Sequence, residues 1–337
     1  MVMHHFSRLS TVYFALSLYF ISPNSFAVDL FDMLKGMSDA DQKQNYQGTF
    51  ILRKSDDLSA LRVIHGIDGE GDWESLESLD GEPRKVVRHN NRVVSVYPER
   101  ELVTIRHTDT TQSLHPRLPD NIDQLDPFYS MTRLDDDRIA GHQTLVVDLL
   151  PKDQYRYGYR YWVDKNTGML LRCDLLSEDK TIVEQMMFTS LDYLAIAPVQ
   201  AFDLHQFEQF NQQLLDEPEI DVQQNAGMSW TVNRLPKGFS LTKSSMRYSR
   251  PALVLKSNSP DSIPPDLLHM VYTDGLASVS VFIEKNEGEK KHLQGALSMG
   301  AVNAFGNAMG DYFATVVGVV PVKTVQSMAE SIVKVEP

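Results

Sequence analysis

The sequence predicts an α+β protein dominated by β-structure: a large half-open domain of antiparallel strands, then a smaller α+β domain. Three observations carry that expectation. Six short β-rich runs between Tyr46 and Arg106 are separated by turn chemistry. Residues 155–176 form two strongly alternating runs around a reversal. The composition shifts at Gly227, where a second β-rich block opens that ends in an apolar-faced helix.

Taken in order, Leu30, Met33, Leu34 and Met37 recur at helical spacing, so Val28 to about Gln44 reads as an amphipathic helix. Strands are expected at Tyr46–Lys54, Ala60–Ile67, Asp72–Leu79, Arg84–His89, Arg92–Tyr97 and Glu101–Arg106. Asp68-Gly69, Asp80-Gly81, Asn90-Asn91 and Pro98-Glu99 supply turns between them, which argues a meander. From Thr108 to Gly141 the text becomes acidic, with Pro116, Pro119 and Pro127 around Phe128-Tyr129-Ser130-Met131. A stretch this long inside a sheet domain reads as a helix-bearing cover. Strands resume at Gln143–Leu150. In the following hairpin Tyr155, Tyr157, Tyr159, Tyr161 and Val163 share one face, and Arg156, Gly158, Arg160 and Trp162 the other; Asp164–Gly168 reverses the chain. A sheet with two unlike faces can hold something apolar on its inner side. Thr181–Leu191 ends this domain.

Phe202–Glu219, rich in Gln, Asp and Glu, reads as a helical or extended linker. Ser229–Val232 and Pro236–Phe239 open the second block. His269–Thr273 and Leu276–Glu284 form a hairpin across Asp274-Gly275, and Ala301–Phe305 pairs with Tyr312–Val319 around Gly306–Asp311. Pro321 suits the first position of a helix with Val325, Met328, Ala329 and Ile332 on one face.

The first residues bear on compartment. Arg8 precedes an apolar run, Leu9–Ile21, and Ser25-Phe26-Ala27 is a small-residue cleavage site before Val28, the pattern of a cleaved secretory signal. The run is shorter than the roughly 20 residues a membrane span needs. No cysteine follows the cut, so a lipid-anchored form is not expected. Cleavage removes one basic residue and leaves 31 Lys+Arg against 45 Asp+Glu, a net charge of −14. An exported protein this acidic is not expected to bind nucleic acid through bulk attraction. The sole cysteine, Cys173, sits mid-strand with no internal partner and reads as a core residue.

Catalytic signatures are lacking. The histidines have no metal-ligand spacing, and there is no Gly-x-Ser-x-Gly elbow, phosphate-cradling loop or dinucleotide fingerprint. Gly295–Gly318 lacks the strand-to-helix context of a phosphate loop and suits tight hairpins. Asp135-Asp136-Asp137 has no glycine at the turn a cation loop requires and reads as a solvated run. No enzyme activity, metal or cofactor is expected.

The chain resembles a known family through Tyr46–Phe50, Glu82–Arg88, Tyr159–Asp164 with Leu170-Leu171-Arg172, Trp230 with Leu235–Phe239, and Tyr272–Leu276. These residues, in one order over nearly the whole exported chain, are similar to the RseB/MucB family of periplasmic regulators of the sigma-E envelope stress response. The resemblance implies a half-open antiparallel β-barrel like that of lipoprotein carriers, on a helix, joined to the smaller domain. The boundaries are 1–27 signal peptide, 28–200 lipid-sensing half-barrel, 201–226 linker and 227–337 C-terminal domain. It implies binding to the periplasmic part of the anti-sigma factor RseA, protection of it from the DegS-type protease, and release by lipopolysaccharide or lipoprotein acyl chains. A homo-oligomer stays open.

Residue chemistry alone suggests contacts. Trp73, Tyr97, Trp162, Met186 and Phe188 are candidates to line a lipid site, and the same side chains also suit a plain core. Arg247, Tyr248 and Arg250 form a local basic spot with interface-type residues, and also read as an exposed strand end. An envelope lipid or lipoprotein carrier with no regulatory partner is the alternative function; a carrier needs only the half-barrel, so the second domain argues against it.

Overall fold

The computed structural model describes residues 40–69, 71–108, 125–198, 204–215, 220–221, 230–247, 267–286 and 294–335. Most of the expected N-terminal helix therefore lies outside the described residues, apart from a last turn, α1 (Ala40–Lys43). The meander follows as expected: β1 (Asn45–Lys54), β2 (Asp57–Asp68), β3 (Gly71–Ser78), β4 (Lys85–His89), β5 (Arg92–Tyr97) and β6 (Leu102–His107). Each pairs antiparallel with the next. β2 begins earlier than its apolar pattern suggests, because Ser55, at φ +55°, lets Ser55-Asp56 close a two-residue turn that pairs Lys54 with Asp57.

Next come β7 (Tyr129–Arg133), β8 (Asp137–Ile139), β9 (His142–Pro151), β10 (Gly158–Asp164), β11 (Leu170–Leu176) and β12 (Ile182–Leu194). β12 returns to pair with β1, so the two meanders join in one sheet running from β13 (Asn211–Leu214) through β6 to β1, then through β12 and β9 to β7. Its two end strands, β13 and β7, do not pair with each other, so the sheet is open.

The structure adds detail at three places in this sheet. Of the stretch read as a helix-bearing cover, residues 109–124 lie outside the described residues; in the rest, β7 and β8 are strands that both pair with β9, which satisfies their backbones directly. Part of the segment read as a helical or extended linker is extended and joins the sheet: β13 lies parallel to β6 and covers that edge. Residues 155–157 are not part of β10. Asp153 Oδ1 accepts the Tyr155 amide at 3.0 Å, and this local side-chain bond replaces the ladder.

The second sheet contains β14 (Ile220–Asp221), β16 (Ser240–Arg247), β17 (Leu267–Thr273), β18 (Ser278–Lys285), β19 (Gly295–Met299), β20 (Val302–Met309) and β21 (Tyr312–Gly318), in the order β14-β16-β17-β18-β21-β20-β19. β15 (Trp230–Val232) pairs with β22 (Ile332–Lys334) beside it. The strand β16 has no clean alternation and was not legible. The β20–β21 turn is tighter than expected, at Gly310-Asp311, because β20 continues through Gly306. Pro321 sits one place earlier than expected, capping α2 (Val322–Ala329), and Ile332 belongs to β22. Val325, Met328 and Ala329 of α2 pack on the second sheet with Trp230, Met270, Val279, Val281 and Val316.

The core of the large sheet is crossed by the row Val147, Tyr161, Cys173, Met186 and Leu52, one residue from each successive strand from β9 to β1. Phe50 and Phe188 extend it, with ring centroids 5.6 Å apart. Burying each such side chain contributes about 1.5–3 kcal/mol. Period-two alternation puts a polar row on the other side: the charged Asp148, Arg160 and Asp174, and the neutral Gln185.

The β1–β12 pair joins the halves, and Gly48 permits its close approach. A Cβ there would stand 2.4 Å from the Ser190 carbonyl oxygen and 3.2 Å from the Phe188 ring. Gly48→Ala is expected to destabilise the protein by about 2 kcal/mol, read as a lower urea midpoint. An unchanged midpoint would show that the two strands separate here without cost.

Candidate functional site

The five lipid-site candidates do not line one surface. Met186 and Phe188 are fully buried in the large core. Trp73, also buried, packs against the backbone of Gly66, the residue opposite it on β2. Tyr97 ends β5, half-buried, with Arg100 5.6 Å from its ring centre. Trp162 lines a groove of about 740 Å³ with Arg133, Leu134, Asp135, Asp136, Asp137, Val146 and Arg160. Of the partner candidates, Arg247 ends β16 opposite Leu267, while Tyr248 and Arg250 lie outside the described residues.

The groove is charged, and most of its charged side chains are held by hydrogen bonds or ion pairs. Asp137 accepts the Trp162 indole N–H at 2.9 Å, and Arg172 stacks on that indole at 4.0 Å. Arg160 holds Asp148 through two bonds of 2.5 and 2.9 Å, and Arg172 holds Asp174 at 2.9 and 2.6 Å. Arg133 and Lys165 both reach Asp136. Such bidentate pairs set side-chain geometry more than they add stability. Cys173 is no nucleophile: burial pushes its thiol well above the ordinary range, so it stays protonated in the core.

A second polar row crosses the strands on the core side of β2, β3 and β4. His65 stands opposite Glu74, and Glu74 opposite Arg88. His65 Nδ1 lies 2.7 Å from the Gln44 carbonyl, its ring stacks on Tyr46, and Arg88 donates to Asp72 at 2.5 Å. Burial raises the Asp72 pKa, but the Arg88 hydrogen bond and charge, helped by His65, outweigh it and hold the carboxyl below its ordinary range.

The most enclosed polar cluster lies where the two sheets meet. Arg156 is fully buried. Its own loop holds it through Asp153, at 3.2 Å from Nε and 3.0 Å from Nη2. The second sheet holds it through Asp274 Oδ2, 2.5 Å from Nη1, and through the Lys237 carbonyl, 2.6 Å from Nη2. Phe128, Tyr129 and Phe239 surround the guanidinium, with ring centres 5.1, 5.5 and 5.2 Å away. Tyr129 also donates to Asp274 Oδ2 at 3.3 Å; burial first, and the charge of Asp274 next, push its phenol far above the usual range.

Local sequence explains each partner's position. Asp274 caps the β17–β18 turn, its Oδ1 accepting the amides of Leu276 and Ala277 at 2.9 and 2.7 Å, which leaves Oδ2 for Arg156. Gly238, at φ +93°, turns the chain beside Phe128; a Cβ there would lie 2.5 Å from that ring. Around this centre Thr324 donates to the Tyr155 carbonyl at 2.6 Å, Asn303 donates to the Tyr157 hydroxyl at 3.0 Å, and Leu276 packs on the large core. Tyr157, Leu175 and Ala301 form a further apolar contact.

The MucB/RseB N-terminal domain model matches residues 29–256, and the MucB/RseB C-terminal domain model matches residues 224–333. The chain belongs to the MucB/RseB family. Similar to it are the sigma factor AlgU regulatory protein MucB of Pseudomonas aeruginosa, 29% identical with 92% of each chain covered, and the sigma-E factor regulatory protein RseB of Escherichia coli, 27% identical with 89% of each covered. The solved complex structure of Pseudomonas aeruginosa MucA/MucB has a chain 28% identical, with TM-score 0.67 over 92% of this chain and all of the other. Against this MucB/RseB background, the junction acquires a local meaning. Two of the motifs that carry the resemblance, Leu235–Phe239 and Tyr272–Leu276, supply the Lys237 carbonyl, Phe239 and Asp274, and so converge on Arg156.

Sequence reasoning missed Arg156, because it stands amid alternating residues and was placed on a strand face. The only cue was its company: an aspartate three residues before it and aromatic residues on both sides.

For the Asp72–Arg88 pair, a carboxylate with a depressed pKa contributes stability that is present above the ordinary carboxylate value and is lost as pH falls below it through the depressed folded value. The urea midpoint is therefore expected to drop as pH falls below about 4, and Asp72→Asn to flatten part of that drop. An equally steep drop in the variant would detach Asp72 from acid stability.

Proposed function

We propose that this protein is a periplasmic negative regulator of an extracytoplasmic sigma factor. It binds the periplasmic segment of the MucA/RseA-type anti-sigma factor and shields it from the DegS-type protease, so that the sigma factor stays sequestered. It acts by binding rather than by catalysis. The observation that carries this reading is the continuity of the likeness: the two family models together span residues 29–333, and the likeness to MucB solved with MucA extends over both sheets. A carrier needing only the first sheet does not account for the second.

In this reading residues 1–27 are the export signal, 28–200 form a half-open barrel that senses lipid, 201–226 connect, and 227–337 form the smaller domain. The helix and strands of the described residues include no helix long and apolar enough to cross a membrane, in keeping with an exported domain working beside a membrane-anchored partner. Lipopolysaccharide or misplaced lipoprotein acyl chains promote release. The mechanism is linkage: a lipid that prefers the partner-free form lowers partner affinity by its own ratio of affinities for the two forms, and no other device is required.

The test is calorimetry of residues 28–337 with the periplasmic segment of the anti-sigma factor from the same genome, with and without lipopolysaccharide. Saturable binding that weakens as lipopolysaccharide is added is the expected result. Absence of binding in either condition would overturn the regulator and favour the carrier.

A further inference from the structure

The Arg156 junction has the construction of a latch. Its guanidinium is fully buried, and its partners come from two separately built sheets: Asp153 from its own loop, Asp274 and the Lys237 carbonyl from the other side. Asp274 is also fully buried in its side chain. Charges enclosed in this way tolerate little rotation. A shift that carries Asp274 out of hydrogen-bond reach, while water is still excluded, leaves two opposite charges buried and unpaired. Intermediate angles between the sheets are thus penalised. The junction is either closed as seen here or opened far enough to hydrate both groups, which makes it a two-position element.

The contacts beside the ion pair are of a kind that can be lost together. Thr324 to the Tyr155 carbonyl, Asn303 to the Tyr157 hydroxyl, and the small Tyr157–Leu175–Ala301 cluster all lie on residues adjoining the same loop, 152–157. The large core of each sheet centres elsewhere: one on Tyr161, Met186 and Phe188, the other on Met270, Val281 and Val316. Opening the latch withdraws Leu276 from the edge of the large core and leaves those centres in place.

We propose that the Arg156–Asp274 pair is a latch that fixes the relative orientation of the two sheets, and that its closed position is the form that binds the anti-sigma factor. The assignment of the closed position rests on the regulator reading above and on the correspondence, across both sheets at once, with the partner-bound relative. A population shift at the latch then sets partner affinity without any change in the residues that touch the partner. Apparent affinity falls in proportion to the fraction of molecules left closed.

The test uses Asp274→Asn in residues 28–337. An asparagine keeps the acceptor oxygen that caps the β17–β18 turn, so the hairpin survives, but it removes the charge that holds Arg156. Spin labels at Gln47→Cys and Ala308→Cys, one exposed position on each sheet, report the distance between the sheets by pulsed electron resonance; Cys173 is buried and stays unlabelled. The expected result is one narrow distance distribution for the parent, a broadened or second one for Asp274→Asn, and a loss of about tenfold in affinity for the anti-sigma segment. Arg156→Lys, which keeps the charge and loses the planar fork, is expected to fall between.

Unchanged distances in both variants, with circular dichroism showing native folding, would overturn the latch. So would altered distances with unchanged affinity for a segment that the parent binds. If the parent itself does not bind the segment while the distances still respond, the regulator reading falls, and with it the assignment of the closed position. The distance arm still stands as a measure of the hinge.

Discussion

A guanidinium without access to water governs how the two sheets of this protein are placed. Burying a guanidinium is costly unless its donors are matched. Here the match is made by two carboxylates, one carbonyl and three aromatic rings drawn from four separate stretches of chain. Removing one partner from such a pair costs roughly 3–5 kcal/mol, far more than the pair adds over an apolar contact. Its value lies in orientation: only one arrangement of loop 152–157, the β17–β18 turn and the turn at Gly238 brings all these groups together.

The same economy of close contact holds the large sheet in one piece. Two meanders, β1 to β6 and β7 to β12, would each be ordinary antiparallel ribbons. Pairing β12 with β1 merges their inner faces into one core, and Gly48 lets the strands approach where Phe188 crosses beneath. The opposite side of β9 to β11 carries a charged ladder through Asp148, Arg160 and Asp174. One face of these strands is therefore apolar and the other is held by paired charges, with Asp148 and Asp174 themselves buried.

Much of this was legible from local pattern. Turn pairs such as Asn90-Asn91 and Asp274-Gly275 marked hairpins correctly, because backbone conformation at those positions is set by the residues themselves. The row through Tyr161 and Cys173 followed from alternation, which needs only the period of a strand. What local pattern did not show has a common origin. Tyr129–Arg133 and Asn211–Leu214 are strands because β9 and β6 offer them free edges, and no local signal announces an edge. The residues read as lipid-site candidates, Trp73, Tyr97, Trp162, Met186 and Phe188, are spread over distinct environments that register and packing alone define.

By itself the sequence determined that the chain is a β-rich, acidic protein without a catalytic signature, folded as a long antiparallel sheet followed by a smaller sheet with one packed helix. It also determined family membership, since motifs in a fixed order survive without reference to geometry. Tertiary structure decided what those motifs do. Residues 156, 237, 239 and 274 are separated by up to 118 positions, and nothing in local propensity links them. Their meeting depends on the desolvation of one charge, a property of the assembled interior that no stretch of sequence possesses before the sheets are in place.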